Sequence, residues 1–133
     1  MLVGVDLRKA ATALHAAYND SRRVTAAFNL NLLVRINREL GADFEPARFA
    51  HYAFYHPAEG RIEMHLVSLA MQSVRIGRHR FAFEPGESIH TENSYKYSIG
   101  GFRELAARAG YAAAKTWTDR RSLFALHAIH SDR

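Results

Sequence analysis

The stretch AHYAFYHPAEGRIEMHLVSL, residues 50–69, decides the fold class, because the apolar spacing changes there from a helical to a strand-like repeat. The segments AHYAFYH and RIEMHLVSL alternate between apolar and polar side chains, as half-buried strands do. Between them PAEG, residues 57–60, has the proline and the glycine of a tight turn. The stretch therefore predicts an antiparallel hairpin.

The chain that follows this hairpin contains further strand-like segments. QSVRI, residues 72–76, and RFAFEP, residues 80–85, are strand-like runs joined by Gly77 and Arg78. The segment SIHTENSYKYS, residues 88–98, is a further extended piece. The middle of the chain is thus predicted to be an antiparallel sheet whose faces alternate along each strand.

The chain before the hairpin has helical spacing. RKAATALHAAYND, residues 8–20, is rich in alanine and has apolar residues at steps of three and four. A second helix is predicted over residues 24–40, with Asp20 or Ser21 as its N-cap and Gly41 as its C-terminal stop. The expected apolar face of this helix consists of Val24, Phe28, Leu32, Ile36 and Leu40.

The two ends of the chain have a different pattern. Residues 2–5 are a short apolar run that predicts a buried strand. Ser98 can cap a helix over IGGFRELAARAG, residues 99–110, and two strand-like runs, YAAAKTWT and LFALHAI, follow. These pieces are typical of an α/β sheet that lacks its remaining strands. Such a chain either pairs with a second copy of itself or is part of something larger.

Length and composition are those of one soluble domain. The 133 residues are 48% hydrophobic and 23% charged, which is ordinary for a globular protein. The absence of cysteine excludes a thiolate nucleophile and a cysteine zinc site, and it weakly favours the reducing cytoplasm. No window is apolar enough for a membrane span. We therefore expect a cytoplasmic protein without a membrane partner.

The net charge of +5 raises the question of a nucleic-acid partner. The basic residues occur in short scattered groups, SRR at 21–23, RIGRHR at 75–80 and DRR at 119–121, without interleaved aromatic residues. A basic solvated surface explains this pattern better than a nucleic-acid site does. No nucleic-acid partner is expected.

The most unusual local composition is that of HTENSYKYS, residues 90–98. It combines a carboxylate, an amide, hydroxyls, phenols and an ammonium group directly after an apolar strand-like run. Such groups suit the floor of a pocket for a polar ligand, since they provide donors and acceptors at close spacing. From these residues alone, however, a polar edge strand with solvated side chains is the simpler interpretation.

Several segments, taken together, resemble one known family. They are GVDL at 4–7, AAYNDSRRVTAAFNLNLLVRINRELGADF at 16–44, RIEMHLVS at 61–68, GESIHTENSYKYS at 86–98, and the later WTD and LFALH runs. In this order they resemble the C-terminal part of the histidine-specific, S-adenosylmethionine-dependent methyltransferases. That family trimethylates the α-amino group of L-histidine on the way to ergothioneine, and the resemblance covers residues 2–127.

The resemblance implies an α/β fold with α+β character and a division of the chain. Residues 8–98 resemble the substrate-recognition domain inserted in these enzymes, an antiparallel sheet with helices. Residues 1–7 and 99–133 resemble the last elements of the Rossmann-like methyltransferase sheet. The family's glycine-rich S-adenosylmethionine loop has no counterpart here. The cofactor-binding half is therefore expected to be absent, and the chain is expected to be inactive alone and to pair with that half or form a homodimer.

The resemblance also implies substrate contacts. Glu92 and Ser94 match the family's glutamate and serine that hydrogen-bond the substrate imidazole, and being two residues apart in an extended segment they share a face. Tyr18, in AAYND, matches a tyrosine that contacts the substrate carboxylate, and Met64, in IEMH, a methionine against the imidazole ring. By spacing alone, Tyr18 and Met64 are better explained as core residues. The remaining motif residues, among them Lys96, are expected to point away or toward the rim.

Other kinds of function have less support. The eight histidines are dispersed and no HExxH-type arrangement occurs, so no metal site is expected. No GxSxG elbow indicates a hydrolase. The serious alternative to a methyltransferase part is a non-catalytic module that binds an amino acid or dimerises through the edge of an incomplete sheet.

Overall fold

The computed structural model describes residues 1–131, which contain three helices and eight strands. In chain order they are β1 (Leu2–Asp6), α1 (Ala11–Tyr18), α2 (Val24–Leu40), a short 3-10 turn (Pro46–Arg48), β2 (Phe49–His56), β3 (Arg61–Ser68), β4 (Gln72–Ile76), β5 (His79–Phe83), β6 (Ser88–Tyr95), α3 (Ile99–Arg108), β7 (Tyr111–Thr118) and β8 (Phe124–Ser131).

The strands pair antiparallel in sheets ordered β1-β8-β7, β2-β3-β6 and β4-β5. The predicted mixed class, with antiparallel sheets and helices, is confirmed. The prediction of one continuous middle sheet is wrong in one respect, because β4 and β5 pair only with each other in the described residues. The reason is that β6 pairs along β3 from Arg61 to Val67 and leaves that edge closed to β4.

Helices α1 and α2 cover one face of the β2-β3-β6 sheet, which we call the inner face. Ile62, Met64 and Leu66 of β3 point to this side and are almost fully buried. Leu14 of α1 packs on Ile62 and Met64, whereas Leu33 of α2 packs in the cluster around Leu66. The opposite side, which carries Glu63 and His65 among others, is the outer face.

Helix α2 buries a different face from the one that its apolar spacing predicts. Val24, Phe28 and Leu40 are 61%, 66% and 60% exposed. The fully buried residues of α2 are Asn29 and Leu33. The apolar periodicity gives the wrong phase because a buried asparagine, whose amide is hydrogen-bonded inside, occupies the inward stripe.

The predicted helix ends agree with the structure, with one shift of position. Asp20 accepts hydrogen bonds from the N–H groups of Val24 (2.9 Å) and Thr25 (3.0 Å), although the residue at the N-cap position is Arg23. Gly41 ends α2 with φ of 61°, a left-handed conformation that glycine adopts without strain. Ser98 caps α3 as predicted, since its hydroxyl accepts the N–H of Gly101.

The two ends of the chain meet in the β1-β8-β7 sheet, which α3 covers on one side. Val5, Ala125 and Phe102 are buried between sheet and helix. Where the chain leaves and re-enters this sheet, Leu7 and Tyr97 form a parallel bridge. The assignment of residues 1–7 and 99–133 to a methyltransferase sheet stays a prediction, and residues 132 and 133 lie outside the described part.

Large apolar side chains remain exposed on the side of this terminal sheet away from α3. They are Leu2, Trp117, Phe124 and Leu126. Strand β1 is at the sheet edge, so one of its backbone sides has no strand partner within residues 1–131. No helix in that part of the chain is both long and apolar enough to cross a membrane.

Candidate functional site

Strand β6 carries the polar motif across the inner face beside β3. Glu92 lies opposite Met64 and Ser94 opposite Ile62. A bulge after Met64 leaves Thr91 without a strand partner. The Thr91 hydroxyl lies 2.7 Å from Asn29 Oδ1 and 3.0 Å from the Met64 carbonyl, either of which can accept its proton. The bulge thus ties β6 to helix α2 next to Glu92.

A buried lysine organises the end of this face. Lys96 Nζ donates to Tyr18 Oη at 2.9 Å and to Ser94 Oγ at 2.8 Å, and it forms an ion pair with Asp6 Oδ2 at 3.0 Å. Tyr18 Oη also donates to Ser94 Oγ at 2.7 Å. The Lys96 side chain is 1% exposed. We call Asp6, Tyr18, Ser94 and Lys96 the Lys96 cluster.

The charges of the Lys96 cluster are paired. Burial by itself would raise the pKa of Asp6, but the hydrogen bonds and positive charges of Lys9 and Lys96 outweigh it and hold this pKa below its usual value. Asp6 is therefore ionised at neutral pH and matches the Lys96 ammonium. A buried lysine needs such a partner, because an unpaired buried charge is expensive.

The proton count of this cluster limits what its hydroxyl groups can do. In the structure Tyr18 gives its single O–H proton to Ser94, which also accepts from Lys96. Both lone pairs of Ser94 Oγ are then used, and its own proton is left to donate to a ligand. If the Tyr18 hydroxyl donates its hydrogen bond to a ligand carboxylate instead of to Ser94, Lys96 still donates to the hydroxyl oxygens of Tyr18 and Ser94 and holds them in place.

A second group of hydrogen bonds, made by Asn29 and His51, connects the helices to the sheet. Asn29 Nδ2 donates to His51 Nδ1 (3.0 Å) and to the His65 carbonyl (3.1 Å). His51 Nε2 lies 2.9 Å from the Tyr18 carbonyl, so it carries the proton and Nδ1 accepts. This arrangement sets the position of Tyr18 relative to strands β2 and β3.

An open pocket of about 170 Å³ lies between α2 and β6, large enough for a small polar molecule. Met64, Thr91 and Glu92 line the sheet side, and Phe28 and Arg35 are among the residues of the helix side. Within residues 1–131 the Glu92 carboxylate has no hydrogen-bond or ion-pair partner. An unpaired carboxylate at the edge of a pocket is a good acceptor for a ligand N–H.

The predicted site residues fall into two adjoining groups. Tyr18 and Ser94 are in direct contact in the Lys96 cluster, and Met64 and Glu92 share the pocket. Met64 is also 2% exposed and packs in the core, as its spacing predicts. No ligand is present, and the substrate contacts of these four residues stay predictions.

Sequence reasoning missed several polar residues of this site, among them Asn29, His51 and Lys96. The expectation that Lys96 points away or toward the rim is wrong, because its ammonium group contacts Ser94. The signal for Lys96 was present, since it continues the alternation of Glu92 and Ser94. Asn29 could have been found from its spacing of four residues to Leu33.

Gly100 and Gly101 do not form a glycine-rich loop of the kind that binds S-adenosylmethionine. The glycine pair at 100–101 follows Ser98, and the Gly101 N–H is already used by the Ser98 hydroxyl. A Cβ on Gly101 would lie 3.0 Å from that oxygen, so the glycine serves the helix cap rather than a ligand. We therefore derive no step through this cofactor.

The fold is a mixed α/β unit in which helices and an antiparallel sheet enclose a pocket with a polar cluster beside it. The family model described as histidine-specific methyltransferase, SAM-dependent, matches residues 1–131. The chain belongs to this family, which confirms the resemblance found in its motifs.

Two similar proteins agree with this assignment. The histidine N-alpha-methyltransferase of Mycobacterium tuberculosis is 42% identical over 128 residues, and that of Mycolicibacterium smegmatis is 40% identical over the same length. Each match covers 95% of this chain and 40% of the relative. The chain thus spans well under half the length of these relatives and corresponds to their C-terminal part.

Proposed function

We propose that this chain is the substrate-binding part of a methyltransferase that acts on the α-amino group of L-histidine. The observation that carries the proposal is the Lys96 cluster beside an unpaired Glu92, in a chain similar to two histidine N-alpha-methyltransferases. This arrangement places hydroxyl and ammonium groups beside a carboxylate. L-Histidine, with a carboxylate and an imidazole, presents the complementary groups.

The imidazole end is assigned to Glu92 and Ser94. The Glu92 carboxylate accepts the proton of one ring nitrogen, and the remaining Ser94 proton is donated to the other. Met64 forms the floor beneath the ring, where a polarizable thioether packs well against an aromatic face. A ligand without the ring N–H would leave the Glu92 carboxylate unpaired in the closed complex, which is the source of specificity.

The carboxylate end is assigned to Tyr18. Its phenol donates to the ligand carboxylate once the Tyr18–Ser94 hydrogen bond opens. Lys96 is a positioning residue in this scheme, because it holds both oxygens while their mutual bond is exchanged for bonds to the ligand. Its charge, partly balanced by Asp6, also favours an anionic group nearby.

These residues contribute binding and orientation to the reaction. S-adenosylmethionine, held by parts of the complete enzyme other than these residues, would supply the methyl group. Fixing the amino group of histidine in one position is a large part of what such a transfer requires. A role in ergothioneine formation and a cytoplasmic location are part of the same proposal, the latter supported by the lack of cysteine.

Isothermal titration of the chain with L-histidine tests the proposal. We expect saturable binding that Glu92→Gln and Ser94→Ala each weaken by about tenfold or more, the effect of losing one hydrogen bond to a charged or buried group. Glu104→Gln, on the exposed side of α3, is the matched control and should bind as the unmodified chain does. Histamine, which lacks the carboxylate, should bind more weakly than histidine and should be insensitive to Tyr18→Phe.

Two results would contradict the proposal. One is the absence of histidine binding in a chain that is folded by circular dichroism. The other is binding that Glu92→Gln, Ser94→Ala and the Glu104→Gln control leave equally strong.

A non-catalytic amino-acid-binding or dimerisation module is the second candidate. It is favoured by the position of β1 at the edge of its sheet. Sedimentation measurements over a range of concentrations separate the two, because a dimerisation module forms a dimer without any added protein.

A further inference from the structure

The outer face of the β2-β3-β6 sheet gathers groups that the substrate proposal does not use. Glu63 and His65 alternate on β3, and His90 of β6 is the direct cross-strand partner of His65. His65 Nε2 lies 3.3 Å from Glu63 Oε2, and His90 Nε2 lies 4.0 Å from the same oxygen. One ligand atom from each residue can be chosen so that all lie within 4.8 Å of one another.

We propose that Glu63, His65 and His90 form a binding site for a divalent transition-metal ion of the zinc and nickel type. Two imidazole nitrogens and one carboxylate oxygen are the donors that such ions prefer, whereas calcium and magnesium prefer oxygen alone. Sequence reasoning expected no metal site, because it could not know that β3 and β6 pair and bring dispersed histidines together.

The surroundings orient two of the three ligands. Arg61 donates twice to Glu63 Oε1, at 2.9 and 2.7 Å, which turns Oε2 toward the histidines. His65 Nδ1 lies 3.1 Å from the Ser88 hydroxyl, whose oxygen can accept a hydrogen bond from the Nδ1–H group when Nε2 binds a metal. A hydrogen-bond partner on the nitrogen that does not bind the metal fixes the tautomer of a ligating histidine.

Binding requires a small rearrangement of His90. The two imidazole rings are stacked with centroids 4.5 Å apart and planes inclined by 15°, and His90 Nε2 lies 3.2 Å from the Glu92 carbonyl oxygen, to which it can only donate. Metal binding through this nitrogen therefore requires the other tautomer of His90 and the loss of that hydrogen bond. Rotation of His90 brings its Nε2 toward the ion, and its side chain is 38% exposed, which leaves room for that rotation. An open coordination position would then face solvent.

The positive charge of Arg61 opposes a cation at this site and limits its affinity. Ions that gain most from imidazole ligands are therefore the ones expected to bind. A bound ion would also join β3 to β6 at the bulge, on the sheet side opposite Glu92. The site is thus distinct from the proposed histidine pocket, and its presence or absence leaves the substrate proposal unaffected.

Calorimetric titration of the untagged, EDTA-treated chain with Zn²⁺ at about pH 7.5 tests the proposal, since neutral imidazole is the ligating form. We expect one ion per chain, with His90→Gln weakening binding by at least about tenfold. His79→Gln, an exposed histidine of β5, is the matched control and should retain full affinity. Thermal unfolding gives a second readout, since Zn²⁺ should raise the Tm of the unmodified chain and of His79→Gln but not that of His90→Gln.

His65→Gln should weaken zinc binding to a similar degree, but His65 is stacked on Phe54, so this variant is informative only if circular dichroism shows that it is folded. His90→Gln does not depend on that condition, because His90 is the most exposed of the three ligands. Zinc binding of equal strength in His90→Gln and His79→Gln would mean adventitious surface histidines and would overturn the proposal. So would the absence of saturable binding to the unmodified chain.

Discussion

The inner and outer faces of the β2-β3-β6 sheet use the same strand for different kinds of polar site. On the inner face Lys96 has three side-chain partners, and helices cover the surrounding residues. On the outer face Glu63 is also nearly buried and is held by Arg61, whereas the side chain of His90 is 38% exposed. The bulge at Thr91 makes this separation possible, because in a regular strand His90 and Glu92 would share one face.

The comparison teaches that burial decides which polar groups also support the fold. Removing one partner from the inner face leaves other buried groups without a hydrogen bond, whereas an exposed outer-face group such as His90 can exchange a lost partner for water. Glu92 is the exception on the inner face, since its carboxylate has no protein partner in the described residues. The following changes test this contrast, beginning with the largest expected effect.

Lys96→Met should cause the largest loss of stability, about 2–3 kcal/mol in the free energy of unfolding. Breaking a buried ion pair costs more than this when both charges are enclosed, but Asp6 is 33% exposed and keeps Lys9. Urea denaturation measures the change. Lys115→Met, on the exposed surface of β7, serves as control, and equal stability loss in both variants would contradict a special role of Lys96.

Asn29→Ala should lower the free energy of unfolding by about 1–2 kcal/mol, because His51 Nδ1 and the Thr91 hydroxyl each lose a buried partner. Asn31→Ala changes the same residue type on the exposed side of α2 and should alter stability by less than about 0.5 kcal/mol. Chemical denaturation of both variants checks this difference. The contrast fails if Asn31→Ala is as harmful as Asn29→Ala.

The loss of folding stability at low pH should depend on two carboxylates, Asp6 of the Lys96 cluster and Glu63 of the outer face. Lys9 and Lys96 hold the pKa of Asp6 below its usual value, and Arg61 holds the pKa of Glu63 below its usual value. A lowered folded pKa contributes stability above the unfolded value, and that contribution disappears as pH falls through the folded value. Asp6→Asn and Glu63→Gln should therefore each lower stability at neutral pH and reduce the further loss on acidification.

Unfolding curves recorded from about pH 6 down to about pH 2 measure this effect. The exposed Glu104→Gln is again the control and should leave the slope of stability against pH unchanged. A steeper acid loss in Asp6→Asn than in the unmodified chain would contradict the assigned pairing with Lys96.

Glu92→Gln should have the smallest effect on stability, within about 0.5 kcal/mol, because its carboxylate has no partner to lose. The same variant should lose histidine affinity, so stability and binding separate at this residue. Thermal unfolding and the histidine titration, carried out on one preparation, measure both. A large destabilisation would assign Glu92 to the fold rather than to the ligand.

Most of the fold follows from local pattern. Period-two alternation located β2 through β6 to within a few residues, and glycine or serine at helix ends marked the limits of α2 and α3. The inward face of α2 was not predictable from hydrophobicity, since Asn29 is buried by virtue of long-range hydrogen bonds. The separation of β4-β5 from the larger sheet depends on which strand occupies the edge of β3, which local pattern does not encode.

The candidate site was predictable only where a family motif pointed to it. Motif resemblance named Tyr18 and Ser94, which the fold brings to 2.7 Å across 76 positions of sequence. The role of Lys96 was not predicted because its ion-pair partner, Asp6, lies far away in sequence. The outer histidines, His65 and His90, were not predicted to be neighbours because they meet across the bulge between two strands. Spacing along one strand predicts which side chains share a face, but not which strand lies opposite.

The central claim is that the inner face binds L-histidine through Glu92, Ser94 and Tyr18. The most direct test is a histidine titration of the isotope-labelled chain, followed by the amide shifts in two-dimensional nitrogen–proton NMR spectra. The account predicts saturable shifts concentrated around Tyr18, Met64 and Glu92 to Lys96, with strands β7 and β8 unchanged. Shifts confined to other surfaces, or none at saturating histidine, would contradict it.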